Sequence, residues 1–380
     1  MPRLIFIVFL FFISLLAIFR AFEYHLWLLA IGVTEFCWVF AAITIVLLLT
    51  GFWVSKYQMA GTVTGIIALV LFLSPIARAY VVAGSLRENF DNAFSTTNTD
   101  SVTAPFSFFK LFAGTVKVPY HTLTYVNYAN TSMGLDFYPS QVVGKKPCVI
   151  VVHGGSWAGG NSRQLPELNS YLATKGYNVA SINYRMAPKW QTPAPVEDVT
   201  NALKYLRTHA DELHIDTDKF ILLGRSAGGQ IALLAAYTLH DKSIKGVIDF
   251  YGPADMVWGY AIRSNPLIMD SRKVMENYIG GPYAKVPQKY FDCSPLVFVD
   301  KRSPPTLIIH GNNDVLVAPE HSRRLNEKLQ QNGVKHYWLQ IPWATHGFDF
   351  NLNGPGGQLS TYAVLQFLNT ICPAAVNVVE

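Results

Sequence analysis

Phe220-Ile221-Leu222-Leu223-Gly224-Arg225-Ser226-Ala227-Gly228-Gly229-Gln230-Ile231-Ala232-Leu233-Leu234-Ala235 is the stretch whose reading decides the fold. Phe220 to Leu223 is a short apolar run of the kind a buried parallel strand uses, and Ile231, Leu234 and Ala235 recur at helical spacing. Between strand and helix lies Gly224-Arg225-Ser226-Ala227-Gly228, a G-x-S-x-G on a strand-to-helix corner. So sharp a corner forces the serine into a strained backbone conformation, and the glycines on either side remove the Cβ atoms that would clash. The Ser226 hydroxyl is then exposed at a helix N-terminus, where partial positive charge favours an anion. Without this flanking pattern the motif would be an ordinary glycine-rich βα turn.

A serine hydroxyl is a poor nucleophile at neutral pH, so it requires a base, an orienting acid and oxyanion donors. Upstream, Val149-Ile150-Val151-Val152-His153-Gly154-Gly155-Ser156-Trp157 is a strand running into a glycine-rich loop. The backbone N–H groups of Gly154 and Gly155, with that of Ala227, are the expected oxyanion donors, and His153 shapes the loop. Downstream, Thr306 to His310 leads into Gly311-Asn312-Asn313-Asp314, and Ile341-Pro342-Trp343-Ala344-Thr345-His346 places a histidine just past the last strand. Ser226, Asp314, His346 is the Ser…Asp…His order of an α/β fold with a nucleophile elbow. Taken singly, Asp314 is a turn residue and His346 a loop histidine; together, each at a strand's carboxyl end, they form a triad. His209, His214, His240 and His321 are expected to be solvated.

Working outward, Leu123–Tyr128 and Leu135–Tyr138 read as an antiparallel pair. Strands at 148–152, 179–182, 220–223, 246–250, 306–309 and 336–341 then alternate with helices at 165–175, 196–210, 227–239, 320–331 and 359–368. This predicts a mostly parallel sheet covered by helices on both faces, with its ligand at the carboxyl ends of the strands. Residues 255–305 leave that rhythm and carry Trp258, Tyr260, Tyr278, Tyr283 and Tyr290, which reads as a cap over the serine. Trp157, Trp258 and Tyr260 are the candidate pocket residues.

Of 380 residues, 51% are hydrophobic and only 14% charged, with the apolar excess at the N-terminus. Apolar regions at 4–19, 26–54 and 59–82 suggest about three transmembrane helices within residues 1–87, a bilayer core of ~30 Å needing about 20 helical residues. The competing reading makes the first region a signal peptide, although no small-residue cleavage site follows. Glu35, inside the second region, is expected at the membrane interface or as a functional intramembrane carboxylate. Arg20, Arg78 and Arg87 against Arg3 and Lys56 lean toward a cytoplasmic catalytic domain by too small a margin to assign a side. Residues 88–104 read as a polar linker, with the hydrolytic domain at 105–380. The net charge of +5 comes without a basic stripe, which speaks against nucleic acid. Cys37, Cys148, Cys293 and Cys372 show no metal spacing; Cys37 and Cys148 read as small buried hydrophobes.

Residues 115 to 370 resemble the α/β-hydrolase superfamily, specifically hormone-sensitive-lipase-like carboxylesterases. The resemblance rests on His153-Gly154-Gly155, Asn183-Tyr184-Arg185-Met186-Ala187-Pro188, Pro195-Val196-Glu197-Asp198-Val199, Gly224 to Gly228, Asp314 and His346. Where that family often has a third glycine this chain has Ser156, closer to the His-Gly-Gly-x-Trp form of kynurenine formamidases and related small esterases. The resemblance implies a serine hydrolase that cleaves carboxylic esters through an acyl-serine, using no metal or organic cofactor, and the apolar N-terminal regions make it membrane-anchored. Its partners would be a small or lipid-like ester and the bilayer; no oligomeric state follows. An acyltransferase, an amidase or peptidase on the same triad, and a non-catalytic receptor on a hydrolase fold are the alternatives. Arg185 and Asp198 read as an internal ion pair.

Overall fold

The computed structural model describes residues 1–53, 56–96 and 104–374. Its sheet contains β1 (His121–Tyr128), β2 (Thr131–Tyr138), β3 (Lys146–Val152), β4 (Asn178–Ile182), β5 (Ile215–Arg225), β6 (Ile244–Phe250), β7 (Thr306–Gly311) and β8 (His336–Ile341). Their spatial order is β1-β2-β4-β3-β5-β6-β7-β8. β2 runs antiparallel to both β1 and β4, and every pairing from β4 to β8 is parallel. The mostly parallel sheet expected from the alternating pattern is present, and each expected strand overlaps an observed one.

Pleating sends alternate residues to opposite faces. Cys148, Ile150, Val152, Phe220 and Leu222 enter one apolar layer, and Val149, Val151, Ile221 and Leu223 enter the other. Both faces are therefore buried, which is why these strands read as unbroken apolar runs.

The N-terminal region forms α1 (Pro2–Ser14), α2 (Tyr24–Glu35), α3 (Cys37–Leu49) and α4 (Gln58–Phe94). The expectation of three spans is corrected here. Among the described residues only α4 is, as a single helix, long and apolar enough to cross a bilayer. The second region breaks at Phe36, where α2 and α3 meet at 83°, and counts as a second span only if the bent pair is one. α1 is a shorter apolar helix.

The linker expected at 88–104 is corrected as well. α4 continues through Phe94, and Leu86, Phe90 and Phe94 are buried in the second layer of the sheet. Their spacing of four is a helical stripe running through otherwise polar residues. Residues 97–103 of that linker lie outside the described part. Beyond those residues, Phe106 and Leu111 are buried in the core, and Phe109 faces outward.

Glu35 faces neither lipid nor water, since the protein itself covers it. It is buried, and its Oε2 accepts the Gly356 N–H at 2.8 Å. Gly356 opens the last helix of the chain, so Glu35 supplies the oxygen that its N-terminal amides lack. Arg20 donates to the Asn312 carbonyl, Asn313 to the Ile18 carbonyl and Asn265 to the Phe22 carbonyl, at 2.6, 3.2 and 2.7 Å. The apolar unit is thus stitched to the loops at the carboxyl end of the sheet.

Remaining helices are α5 (Pro166–Thr174), α6 (Ala194–Thr208), α7 (Ala227–Thr238), α8 (Met256–Ala261), α9 (Ser271–Ile279), α10 (Pro287–Asp292), α11 (Glu320–Gln331) and α12 (Pro355–Ile371). α8 to α10 lie within the segment expected as a cap. All four cysteines are buried and free.

Candidate active site

Ser226 sits between β5 and α7 with φ 54° and ψ −121°, a conformation non-glycine residues rarely adopt. The corner is possible because Gly224 and Gly228 cross at backbone contact. A Cβ on Gly224 would collide with the Gly228 carbonyl, and one on Gly228 with the Val152 carbonyl. The serine is held at the tip of the turn, above the carboxyl ends of β3 and β5.

Two histidine nitrogens and a carboxylate line up behind it. His346 Nε2 lies 2.9 Å from Ser226 Oγ, and His346 Nδ1 lies 2.7 Å from Asp314 Oδ2. Asp314 is buried, and its other oxygen accepts the Leu316 and Val317 amides at 2.8 and 2.9 Å. Burial pushes its carboxyl upward, but the facing His346 and His310 outweigh this and hold it below the usual carboxylate range. It is therefore an anion, suited to fix the Nδ1–H tautomer of His346.

His310 was not singled out by the sequence. It is buried at the end of β7, with Nε2 3.1 Å from Asp314 Oδ2 and Nδ1 2.6 Å from Ser322 Oγ. The available signal was a histidine four residues before the acid, on the same strand-loop junction. Behind His346, Tyr251 packs its ring at 4.4 Å and donates its hydroxyl to Asp349, which also pairs with buried Arg225 at 2.5 Å.

The loop after β3 approaches Ser226 from the other side. Gly155 has φ +121°, and a Cβ there would strike the Gly159 carbonyl. Gly154 passes so close that its added Cβ would lie 3.3 Å from the Ser226 Cβ. Its N–H, expected as an oxyanion donor, is occupied: it donates to Gln164 Oε1 at 2.8 Å. Among the described residues the Gly155 amide has no acceptor, and the Ala227 amide is the first of α7, without an intrahelical partner. His153 braces the loop, its Nδ1 2.7 Å from the Gly154 carbonyl and its ring stacked on Tyr184, and burial lowers its pKa to about 4.

Ser226 opens onto two chambers. A small one of about 80 Å³ is walled by Trp157, Trp258, Ile262, Val274 and Met275. A larger one of about 450 Å³ contains His346, Gly154 and Gly155, with Tyr24, Trp27, Leu28 and Ile31 from α2. Trp157 is further fixed by its indole N–H on Gln230 Oε1 at 2.9 Å and by stacking on Tyr278.

Two sequence expectations fail locally. Tyr260 lines neither chamber; its hydroxyl donates to Glu276 Oε1 at 2.7 Å. His321 is buried against Trp258, accepts the Asp255 amide and lines the small chamber, and burial lowers its pKa to about 3. α11 reads as amphipathic and polar, so the cap that covers His321 is invisible locally. Arg185 does pair with Asp198, Nε to Oδ1 at 2.9 Å. Among the described residues no cluster of His, Cys, Asp and Glu is arranged to hold a metal ion.

Residues 135–329, just over half the chain, match the family model described as BD-FAE. The chain is 30% identical over 241 residues to the probable carboxylic ester hydrolase LipM of Mycobacterium tuberculosis (strain ATCC 25618 / H37Rv), covering 60% of this chain and 55% of that one. Esterase LipC of the same strain is 31% identical over 244 residues, covering 59% and 58%. The chain therefore spans less than two thirds of the length of these relatives. A truncated form of a carbohydrate esterase from gut microbiota has a TM-score of 0.55 at 25% identity, over 67% of this chain and 99% of that one. EstE1, a carboxylesterase cloned from a metagenomic library, has a TM-score of 0.60 at 20% identity, over 78% and 98%, a likeness of fold alone. The fold is that of the α/β-hydrolases.

Proposed function

We propose that this chain, which belongs to the BD-FAE family, is a serine carboxylic ester hydrolase with Ser226 as nucleophile. The observation that carries the reading is the continuous line from Ser226 Oγ through His346 to buried Asp314, at 2.9 and 2.7 Å, inside a cavity. The esterase relatives support the same reaction class.

In this reading Ser226 Oγ attacks the ester carbonyl carbon while His346 Nε2 takes its proton. Negative charge develops on the carbonyl oxygen, which turns toward the amides of Ala227 and Gly155, each such donor contributing about 10²–10³ in turnover. Collapse of the tetrahedral species breaks the bond to the alkoxy oxygen, and His346 returns the proton to it. Water enters, loses a proton to His346 and releases the acid, regenerating the Ser226 hydroxyl. Asp314 stays ionised throughout and stabilises the imidazolium.

The apolar N-terminal unit is the membrane attachment in this reading. Phe6, Phe9, Phe12, Phe52, Trp53 and Met59 are more than half exposed, and large apolar side chains exposed together in one region mark a protein or membrane contact. A fluorophosphonate probe on the detergent-solubilised full chain tests the chemistry: labelling is expected in the parent and lost in Ser226→Ala. Labelling that persists in Ser226→Ala refutes it. Release of the protein from membranes by alkaline carbonate would remove the attachment.

A further inference from the structure

The two chambers meet at Ser226 but are not equivalent. They share Ser226, Ser156, Met269 and Leu316, yet only the large one contains His346. That asymmetry assigns the two halves of an ester. Once Ser226 has attacked, the alkoxy oxygen must lie within reach of His346 Nε2 to receive its proton, about 2.6–3.2 Å. The alcohol half therefore lies in the chamber that holds the imidazole. The acyl half is left with the other one.

Their sizes then set the substrate. The acyl side has about 80 Å³, lined by Trp258, Ile262 and Met275; the alcohol side has about 450 Å³. The wall of the alcohol side is apolar, and much of it is α2: Tyr24, Trp27, Leu28 and Ile31. α2 lies outside residues 135–329, so this wall is supplied by the chain's own N-terminal unit. It is held in register by the Tyr24 N–H on the Leu267 carbonyl at 3.1 Å and the Trp27 indole on the His346 carbonyl at 3.0 Å. Tyr24, Leu28 and Phe350 line the chamber and are also exposed, which places them at its mouth. The mouth is bordered by the same apolar unit that carries the exposed aromatic patch.

From this juxtaposition we propose that the enzyme selects esters of a short acyl group with a long or bulky apolar alcohol. Tyr24, Leu28 and Ile31 of α2 determine the specificity for that alcohol. The inference rests on the reading of Ser226 as the nucleophile and adds to it which side of the ester is large.

Octyl acetate and ethyl octanoate are isomers of nearly equal hydrophobicity, so detergent partition affects both alike. On the detergent-solubilised full chain, kcat/KM for octyl acetate is expected to exceed that for ethyl octanoate by at least about tenfold, the discrimination a few misplaced methylenes carry. Leu28→Trp, at an exposed position that tolerates the change, narrows the mouth. It is expected to lower the ratio of octyl to ethyl acetate hydrolysis about tenfold. Met275→Ala enlarges the other chamber and is expected to raise ethyl octanoate relative to ethyl acetate. Equal rates for the isomers, or preference for ethyl octanoate, overturn the assignment while fluorophosphonate labelling of Ser226 leaves the hydrolase reading intact. No labelling and no hydrolysis of either isomer removes both.

Discussion

The indole N–H of Trp27 donates to the backbone carbonyl of His346 at 3.0 Å, joining residues 319 positions apart. A helix from the apolar N-terminal region thereby fixes the loop that carries the imidazole. Trp27→Phe keeps an aromatic wall and deletes one hydrogen bond worth about 1 kcal/mol, enough for an approximately three- to tenfold loss if it is used to position the base. We expect that loss in kcat for a short ester, with KM little changed. A loss confined to KM would assign Trp27 to binding alone.

In the proposed mechanism Ser226, His346 and Asp314 act as one unit, which makes their deletions non-additive. Ser226→Ala and His346→Ala should each lower kcat/KM by about 10⁴–10⁶, with the double variant no worse than either. Asp314→Asn should cost about 10⁴ by presenting the wrong tautomer. His310→Asn should cost far less, because Asp314 keeps His346 and the amides of Leu316 and Val317. Steady-state kinetics on one short ester decides all four, and additive losses would disprove a shared unit.

Much of this site is legible in the sequence because it is local. The elbow, the acid and the base each sit at the end of an apolar run, where strand-to-loop junctions are easiest to read. Their convergence follows from the parallel sheet alone. What stays hidden is orientation. α2 is apolar on all sides, so nothing in its periodicity separates a face toward lipid from a face toward Ser226. The break at Phe36 is likewise silent, since Glu35 and Cys37 continue an apolar region whose bend is set by docking on α12. Gln164 captures the Gly154 amide from a loop ten residues away, and His321 is covered by Trp258 of the cap, a contact between distant parts of the chain.

The oxyanion loop gives a sharp prediction with its own control. Gly155→Ala forces a side chain into the Gly159 carbonyl at φ +121° and should tilt the donor, lowering kcat about 10²–10³. Gly144 has φ +94° with open space around it. Gly144→Ala carries comparable backbone strain, about 1 kcal/mol or more, and should lower the melting temperature without touching kcat. Equal kinetic effects from both would reduce the Gly155 result to general instability.

Glu35 joins the apolar unit to the sheet domain by accepting the first amides of α12. Removing such a cap costs about 0.5–2 kcal/mol. Glu35→Ala should therefore lower the thermal midpoint of the detergent-solubilised chain, whereas a carboxylate that merely rested in an apolar region would leave it raised or unmoved.

Asp249 supplies a pH signature independent of catalysis. It lies on β6 beneath α7, accepts the Gly252 amide at 2.9 Å through Oδ1, and has no partner for Oδ2 among the described residues. Burial raises its pKa to about 7. The unfolded chain ionises it near the ordinary value of about 4, so between those values the folded protein holds a proton the unfolded one has lost. Stability from this group is full below pH ~4 and declines as pH rises toward 7, where the folded carboxyl must ionise in an apolar layer. Asp249→Asn removes the ionisation and keeps an acceptor for Gly252. Its melting temperature should fall less than the parent's between pH 5 and 8, a window bracketing a pKa of about 7, and should exceed the parent's at the alkaline end. Parallel melting curves across that window would mean that Asp249 enters the fold already charged.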